Sequence, residues 1–327
     1  LIFSCVFCIA VFITWYSTWE AKDVHQEYDF KVDTQRSSGV INHLKYLVLD
    51  LFSSFRIRAF RLHILIYIFS FTAMDVFGSV FTYYVVYCLS QDAAAVSGWL
   101  SIAAFASVPG TYGFMLLLNR LNMTPSAALR LSYSCIFLVL AFLFTVYLTK
   151  TEVPTLLFSA VFILLGAARS GLYYIPWNIY SFIPDIDEIV TQQRREGIFA
   201  GVMVLTRKST VAIAIMIIGL VLQESGFVKG SGAQPESALG AIIGLMIFAT
   251  AALLAVSFFA TYKFKLTRET HKVLLKEIAR RKLGGDYRDC GASTRVVIKQ
   301  LTGYEYDQVW GGDATRLAVG ENLSTVK

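Results

Sequence analysis

Charge is scarce in this chain: Asp, Glu, Lys and Arg make up only 16% of 327 residues, whereas 56% are hydrophobic. The four histidines and five cysteines fall at no metal-ligand spacing, and the sequence has no glycine-rich phosphate loop and no long-period repeat. Nothing in it therefore argues for an enzyme, a bound cofactor or a nucleic-acid partner. The single C-x-x-C, Cys5 to Cys8, lies in an apolar run with no second cysteine pair and no nearby His. It reads as small buried hydrophobes, as do Cys88, Cys135 and Cys290. Polar faces are missing too. Core helices of soluble proteins carry apolar runs of about 10 to 14 residues, but here the blocks reach about 20 or more without a polar stripe. The composition describes a polytopic, all-α membrane protein.

Seven apolar segments are expected, at 1–18, 60–89, 97–118, 127–149, 154–183, 197–222 and 237–262. Their connections divide sharply by charge. Residues 19–59 hold Lys22, Lys31, Arg36, Lys45, Arg56 and Arg58. The next two connections on that side hold Arg120, Arg130, Arg194 and Arg195, and the stretch from Lys263 holds thirteen basic residues. The opposite side has only Lys150 and Lys229. The positive-inside rule then makes the 19–59 loop and the C-terminus cytoplasmic, in a multi-pass plasma-membrane protein, a bacterial inner membrane being the expected setting. Leu1–Thr18 is apolar from its first residue, with no basic start and no small-residue cleavage site. We read it as the inner end of a helix and expect the chain to be the C-terminal part of a longer transporter-like protein: one preceding span, a central loop at 19–59, a six-helix bundle at 60–262 and a tail at 263–327.

Within the loop, Leu44, Leu47, Val48, Leu51, Phe52 and Phe55 repeat at helical spacing, with Lys45, Asp50, Ser53 and Ser54 opposite. This predicts an amphipathic helix over 43–55, either lying in the membrane interface or packing on neighbouring helices. In the tail, Thr267 is placed to cap a helix over 267–283 that ends at Gly284-Gly285, with Glu277 facing Arg281 at i+4. Beyond Asp286 a loosely ordered tail is expected, with local docking around Leu301 to Tyr304 and at Trp310-Gly311.

Ionisable side chains within spans are costly and mark function by default. Lys208, about twelve residues into its span, is the first such candidate. It lines up at i+7 with Gly201, and Gly197 and Gly201 form a small-xxx-small pair that permits close helix approach. Arg207 is adjacent but rotated by about 100°, towards a different partner. Arg169 shares a helix face with Tyr173, Pro176 and Tyr180, while Trp177 and Asn178 point to the adjacent stripe. Its planar fork suits a substrate carboxylate, with pairing to another helix as the alternative. Asp75 reads as a substrate hydroxyl acceptor or a structural hydrogen-bonding group, and Tyr83 as a stacking surface or an aromatic-belt residue. Asp185, Asp187 and Glu188, followed by Arg194, Arg195 and Glu196, form a candidate ionic gate, or else a static solvated loop.

The motifs IPWNIYSFIPDIDE (Ile175–Glu188), RREGIFAG (Arg194–Gly201) and RKS (Arg207–Ser209), with the tail TRETHKVLLKEIARRK, resemble the glycoside-pentoside-hexuronide:cation symporter family, the melibiose-carrier-like branch of the major facilitator superfamily. The resemblance covers most of residues 60–283. It implies a twelve-helix fold in two six-helix halves, with this chain holding the sixth helix, the central loop and the C-terminal half. It also implies that Lys208 borders the sugar and cation sites, that Trp177 lies on a cavity-lining helix, and that the co-transported Na+ or H+ is held mainly by acids of the other half. Sugar:cation symport by alternating access is the expected activity. Because Arg169 and Lys208 are opposed only by Asp75, we lean towards an acidic sugar such as a uronide. A lysolipid or other organic-solute carrier of the same fold is one alternative, and a non-transporting membrane scaffold or sensor is another.

Overall fold

The computed structural model describes residues 2–17, 51–150 and 153–310. The chain divides into two units, Leu1–Val48 and Leu49–Lys327. In the first, helix α1 (Ile2–Ser17) exposes Ile9, Phe12, Trp15 and Tyr16, with the rings of Phe12 and Trp15 5.8 Å apart. Most of the predicted amphipathic helix over 43–55, and the rest of the 19–50 loop, lie outside the described residues.

In the second unit six helices are long and apolar enough to cross a membrane, among the described residues. They are α2 (Arg58–Cys88), α3 (Ala93–Asn119), α4 (Pro125–Thr149), α5 (Thr155–Tyr180), then, after a nine-residue helix α6 (Ile183–Thr191), α7 (Glu196–Glu224) and α8 (Glu236–Lys263). At 1.5 Å per residue each of the six is about 35 Å or longer, more than the ~30 Å hydrocarbon core requires. Local chemistry sets several ends. Thr124 accepts from the Ala127 amide and Pro125 occupies the first turn, starting α4, which stops where Lys150 turns left-handed at φ 50°. Short connections make successive helices antiparallel. The start of α2, the 120–124 turn, α6 and the residues after Lys263 therefore share one end, here the Arg58 end; the Ser126 hydroxyl donates across it to the Phe264 carbonyl at 3.0 Å. The 89–92 and 225–235 connections share the other, the Cys88 end, where Tyr83 meets Phe227 edge to face at 5.3 Å.

Burial ranks the helices. In its most apolar window α2 is 61% buried, whereas α3 and α7 are 17% and 11% buried. Helix α2 is thus the core of the bundle, and α3 and α7 present long faces outward. The tightest helix contact is α3 on α5, which glycine makes possible: a Cβ on Gly110 would stand 2.7 Å from the Ala167 Cα, and one on Gly166 2.7 Å from the Ala103 carbonyl carbon. Among the described residues no helix makes such an approach at Gly197 and Gly201: nothing lies within 4 Å of a Cβ at Gly197, and only the Leu51 side chain, at 3.6 Å, approaches Gly201. The polar pattern expected just before α2 is corrected. Ser53 and Ser54 are buried while Phe52 is exposed, because Ser53 accepts from Arg195 at 3.0 Å and Ser54 donates to the Leu51 carbonyl at 2.6 Å.

The tail folds against the Arg58 end. Helix α9 (Arg268–Lys282) starts at a Thr267 cap closed by Thr270 and ends before Gly284, whose φ is +83°. Rather than the loose chain expected beyond Asp286, a further helix α10 (Ala292–Thr302) buries Ile298, Leu301 and Thr302 and ends in left-handed Gly303, packed on the Arg58 side chain. Its apolar positions 298 and 301 recur at helical spacing, so burial of that stripe offsets the cost of ordering the segment.

Candidate functional site

Three helices bring the mid-span candidates to one face. On α2, Tyr67, Phe71 and Asp75 follow one another at i+4; α5 contributes Arg169, Tyr173 and Trp177 at the same spacing, and α7 contributes Arg207. The rings form a continuous ladder. Tyr173 meets Phe71 edge to face at 4.6 Å, Phe71 lies 4.5 Å from Tyr67, Tyr67 meets Trp177 at 5.8 Å, and Trp177 meets Tyr180 at 5.8 Å. Trp177 keeps 46% of its surface exposed, so the ladder has an open edge.

Charge on this face is paired differently from the sequence-based expectation. Asp75 is not the lone acid opposing Arg169 and Lys208: Arg207 grips it in a two-pronged ion pair, at 2.5 and 2.8 Å, and lies over the Phe71 ring at 5.3 Å. A single carboxylate at this depth would be costly, and pairing with an arginine on the facing helix removes the net charge. The sequence turned Arg207 towards a different partner from Lys208 without naming it, and that partner is Asp75. Arg169 donates to the Tyr173 hydroxyl at 3.2 Å and lies over its ring at 5.1 Å. Lys208 is exposed. Among the described residues no carboxylate pairs with Arg169 or Lys208, and Arg169 stands on this face as a cation beside a neutral Asp75–Arg207 pair. Asn178 is half-buried beside Trp177. Tyr83 is not brought to this face; it stands two turns beyond Asp75, against Tyr87 and Phe227.

The second constellation is at the Arg58 end. Arg195 holds the fully buried Asp187 with two bonds, at 2.7 and 2.8 Å, and reaches Ser53. Arg194 pairs with Glu196 at 2.6 Å and more loosely with Asp185 at 3.5 Å. The other acids of α6 turn to the tail: Asp185 meets His271 at 2.7 Å, Glu188 meets Lys282 at 2.5 Å, and the Ile189 carbonyl accepts from the Trp310 amide at 3.1 Å. The acidic segment is thus clamped between the 194–196 turn and α9, where the sequence placed it against the turn alone. Within the tail, Glu277 pairs with Arg280, not Arg281, and accepts from Tyr306. Burial raises the Glu277 carboxyl, but the bonds from Arg280 and Tyr306 outweigh it and hold it below the usual carboxylate range. Burial, then the bond to Glu277, raises the Tyr306 phenol. No group of three or more His, Cys, Asp or Glu able to hold a metal occurs among the described residues.

Residues 1–268 match the family described as MFS/sugar transport protein. The chain belongs to that family. An uncharacterized symporter of Synechocystis sp. (strain ATCC 27184 / PCC 6803 / Kazusa) is 28% identical over 266 residues, 78% of this chain and 47% of the relative. The chain thus spans about half the length of that relative. Membership in the MFS sugar-transport family agrees with the motifs at Ile175–Glu188 and Arg194–Ser209 and with the all-α, multi-pass membrane fold.

Proposed function

We propose that this chain supplies one bundle of a sugar:cation symporter working by alternating access. A sugar binds against the α2–α5–α7 face, and a second bundle completes the cavity and holds most of the co-transported Na+ or H+. The observation that carries this reading is the mid-span face itself: an aromatic ladder, a neutralised Asp75–Arg207 pair, and an Arg169 that meets no carboxylate among the described residues. Rings that stack on sugar faces, next to an arginine that meets no carboxylate among the described residues, suit an acidic sugar such as a uronide, whose carboxylate the Arg169 fork would take in two hydrogen bonds. The exposed faces of α3 and α7 are where a second bundle would pack.

By the distribution of basic residues, the Arg58 end is cytoplasmic. There the Asp187–Arg195 pair and the α6–tail contacts would hold one state of the cycle and loosen in the other. Binding of sugar and cation to the same occluded state couples the two fluxes. The test is uptake of a labelled glucuronide by the full-length protein in proteoliposomes under an imposed Na+ or H+ gradient. Accumulation above equilibrium supports symport; equilibration that ignores both gradients contradicts it.

A further inference from the structure

A cavity of about 640 Å³ lies at the Cys88 end, away from the mid-span face. Five helix ends surround it: the end of α2, the start of α3, the end of α4, the start of α5 and the start of α8. Around it the end of α2 packs on α3 and on the start of α8, α3 packs on α5, and α5 on α4.

The walls combine two kinds of group. Tyr87, Trp99 and Tyr147 supply aromatic surface, and Gln91, Lys150 and Glu236 supply hydrogen-bonding ends. Neighbours hold two of the rings: Trp99 lies 4.7 Å from Phe158, and Tyr87 meets Phe227 at 5.4 Å. The last turn of α2, Tyr84–Cys88, is a π-helix, and it delivers both Tyr87 and Cys88 to the cavity wall. Such wide turns recur at functional sites. One acid, one base and one amide among aromatic rings match a neutral polyhydroxylated ligand, whose vicinal hydroxyls bond carboxylate and amide while its C–H faces lie on the rings.

We propose that this cavity is a second glycoside-binding site, a vestibule on the side opposite the tail and separate from the mid-span face. The choice of a glycoside as ligand rests on the sugar-transport reading; the cavity and its lining do not.

Cys88 lines the cavity, so its reactivity reports occupancy. Full-length protein in nanodiscs, with every other cysteine replaced by serine, would be labelled with a small methanethiosulfonate reagent. Labelling would be followed with 4-nitrophenyl α-glucoside, with the corresponding glucuronide, and with glycine betaine as a zwitterionic control. The neutral glycoside should slow labelling about fivefold at about four times its Kd, because only the vacant fraction reacts. The slowing should persist in Arg169→Ala, which alters the mid-span face, and vanish in Gln91→Ala/Glu236→Gln, whose parent side chains are both exposed and replaceable without disturbing the fold.

No slowing at concentrations that saturate transport would overturn the proposal. So would slowing that disappears in Arg169→Ala, which would report the mid-span site acting at a distance, and so would protection by glycine betaine alone. Slowing in a protein that transports no sugar would sink the symport reading and leave the vestibule standing.

Discussion

Breaking the Asp75–Arg207 pair should destabilise the bundle more than any surface ion pair would, and by an amount the geometry bounds. Exposed pairs contribute about 0–1 kcal/mol, while removing one partner of a buried pair costs about 3–5 kcal/mol. Here the side chains are 20% and 23% exposed, and two short bonds join them. That places the coupling between the limits and nearer the buried one, at about 2–3 kcal/mol, or roughly 30- to 150-fold in an equilibrium constant. The assay is a double-mutant cycle of wild type, Asp75→Asn, Arg207→Gln and the double variant, with unfolding free energies measured in mixed micelles. Each single variant should lose most of that amount, and the double variant should lose little more than either. Single effects that simply add, within about 0.5 kcal/mol, would show that the two groups act independently and would refute the pairing.

Arg169→Ala should reduce uptake of acidic sugars by about 10- to 100-fold, the usual weight of a charge-assisted two-pronged contact, while neutral glycosides are spared; unchanged uronide uptake with loss of neutral sugars in a substrate panel would contradict the role given to it. Docking of the tail should depend on pH. Because folding depresses the Glu277 carboxyl below its ordinary 4.5, its stabilisation is complete above about pH 4.5 and is lost as pH falls through the depressed value. The fluorescence component that disappears in Trp310→Phe should therefore shift to the red on acidification, and Glu277→Gln should flatten that dependence. Gly166→Leu should abolish correctly folded protein, since even a Cβ there meets the α3 backbone, whereas Gly78→Ala, with nothing within 4 Å, should be tolerated; size-exclusion chromatography after extraction distinguishes these outcomes.

The membrane-spanning helices and the family were legible in the sequence because each rests on local pattern: apolar blocks longer than a bilayer, and motifs such as IPWNIYSFIPDIDE within one stretch of chain. Partner choice was not. Asp75 and Arg207 are separated by 132 positions and Asp185 and His271 by 86, and nothing local records which span faces which. The same limit left the partner of Arg207 unnamed, since adjacent helix positions point about 100° apart and only the neighbouring helix decides what each of them meets. Helix α10 was hidden for a related reason: its polar residues dominate composition, and its short apolar stripe gains stability by packing on α9, α2 and α6. Ser53, expected on the polar side of its helix, is buried for the same kind of reason, a distant partner, Arg195.

The account turns on whether the exposed side chain at position 208 meets water or lipid. Lys208→Cys in the full-length protein, reacted from the aqueous phase with a membrane-impermeant charged thiol reagent in the presence and absence of a transported sugar, tests this directly. A side chain in a water-filled cavity should label readily, and the sugar should slow the reaction. A cysteine inert to the charged reagent but modified by a lipid-soluble maleimide, at a rate indifferent to sugar, would contradict it.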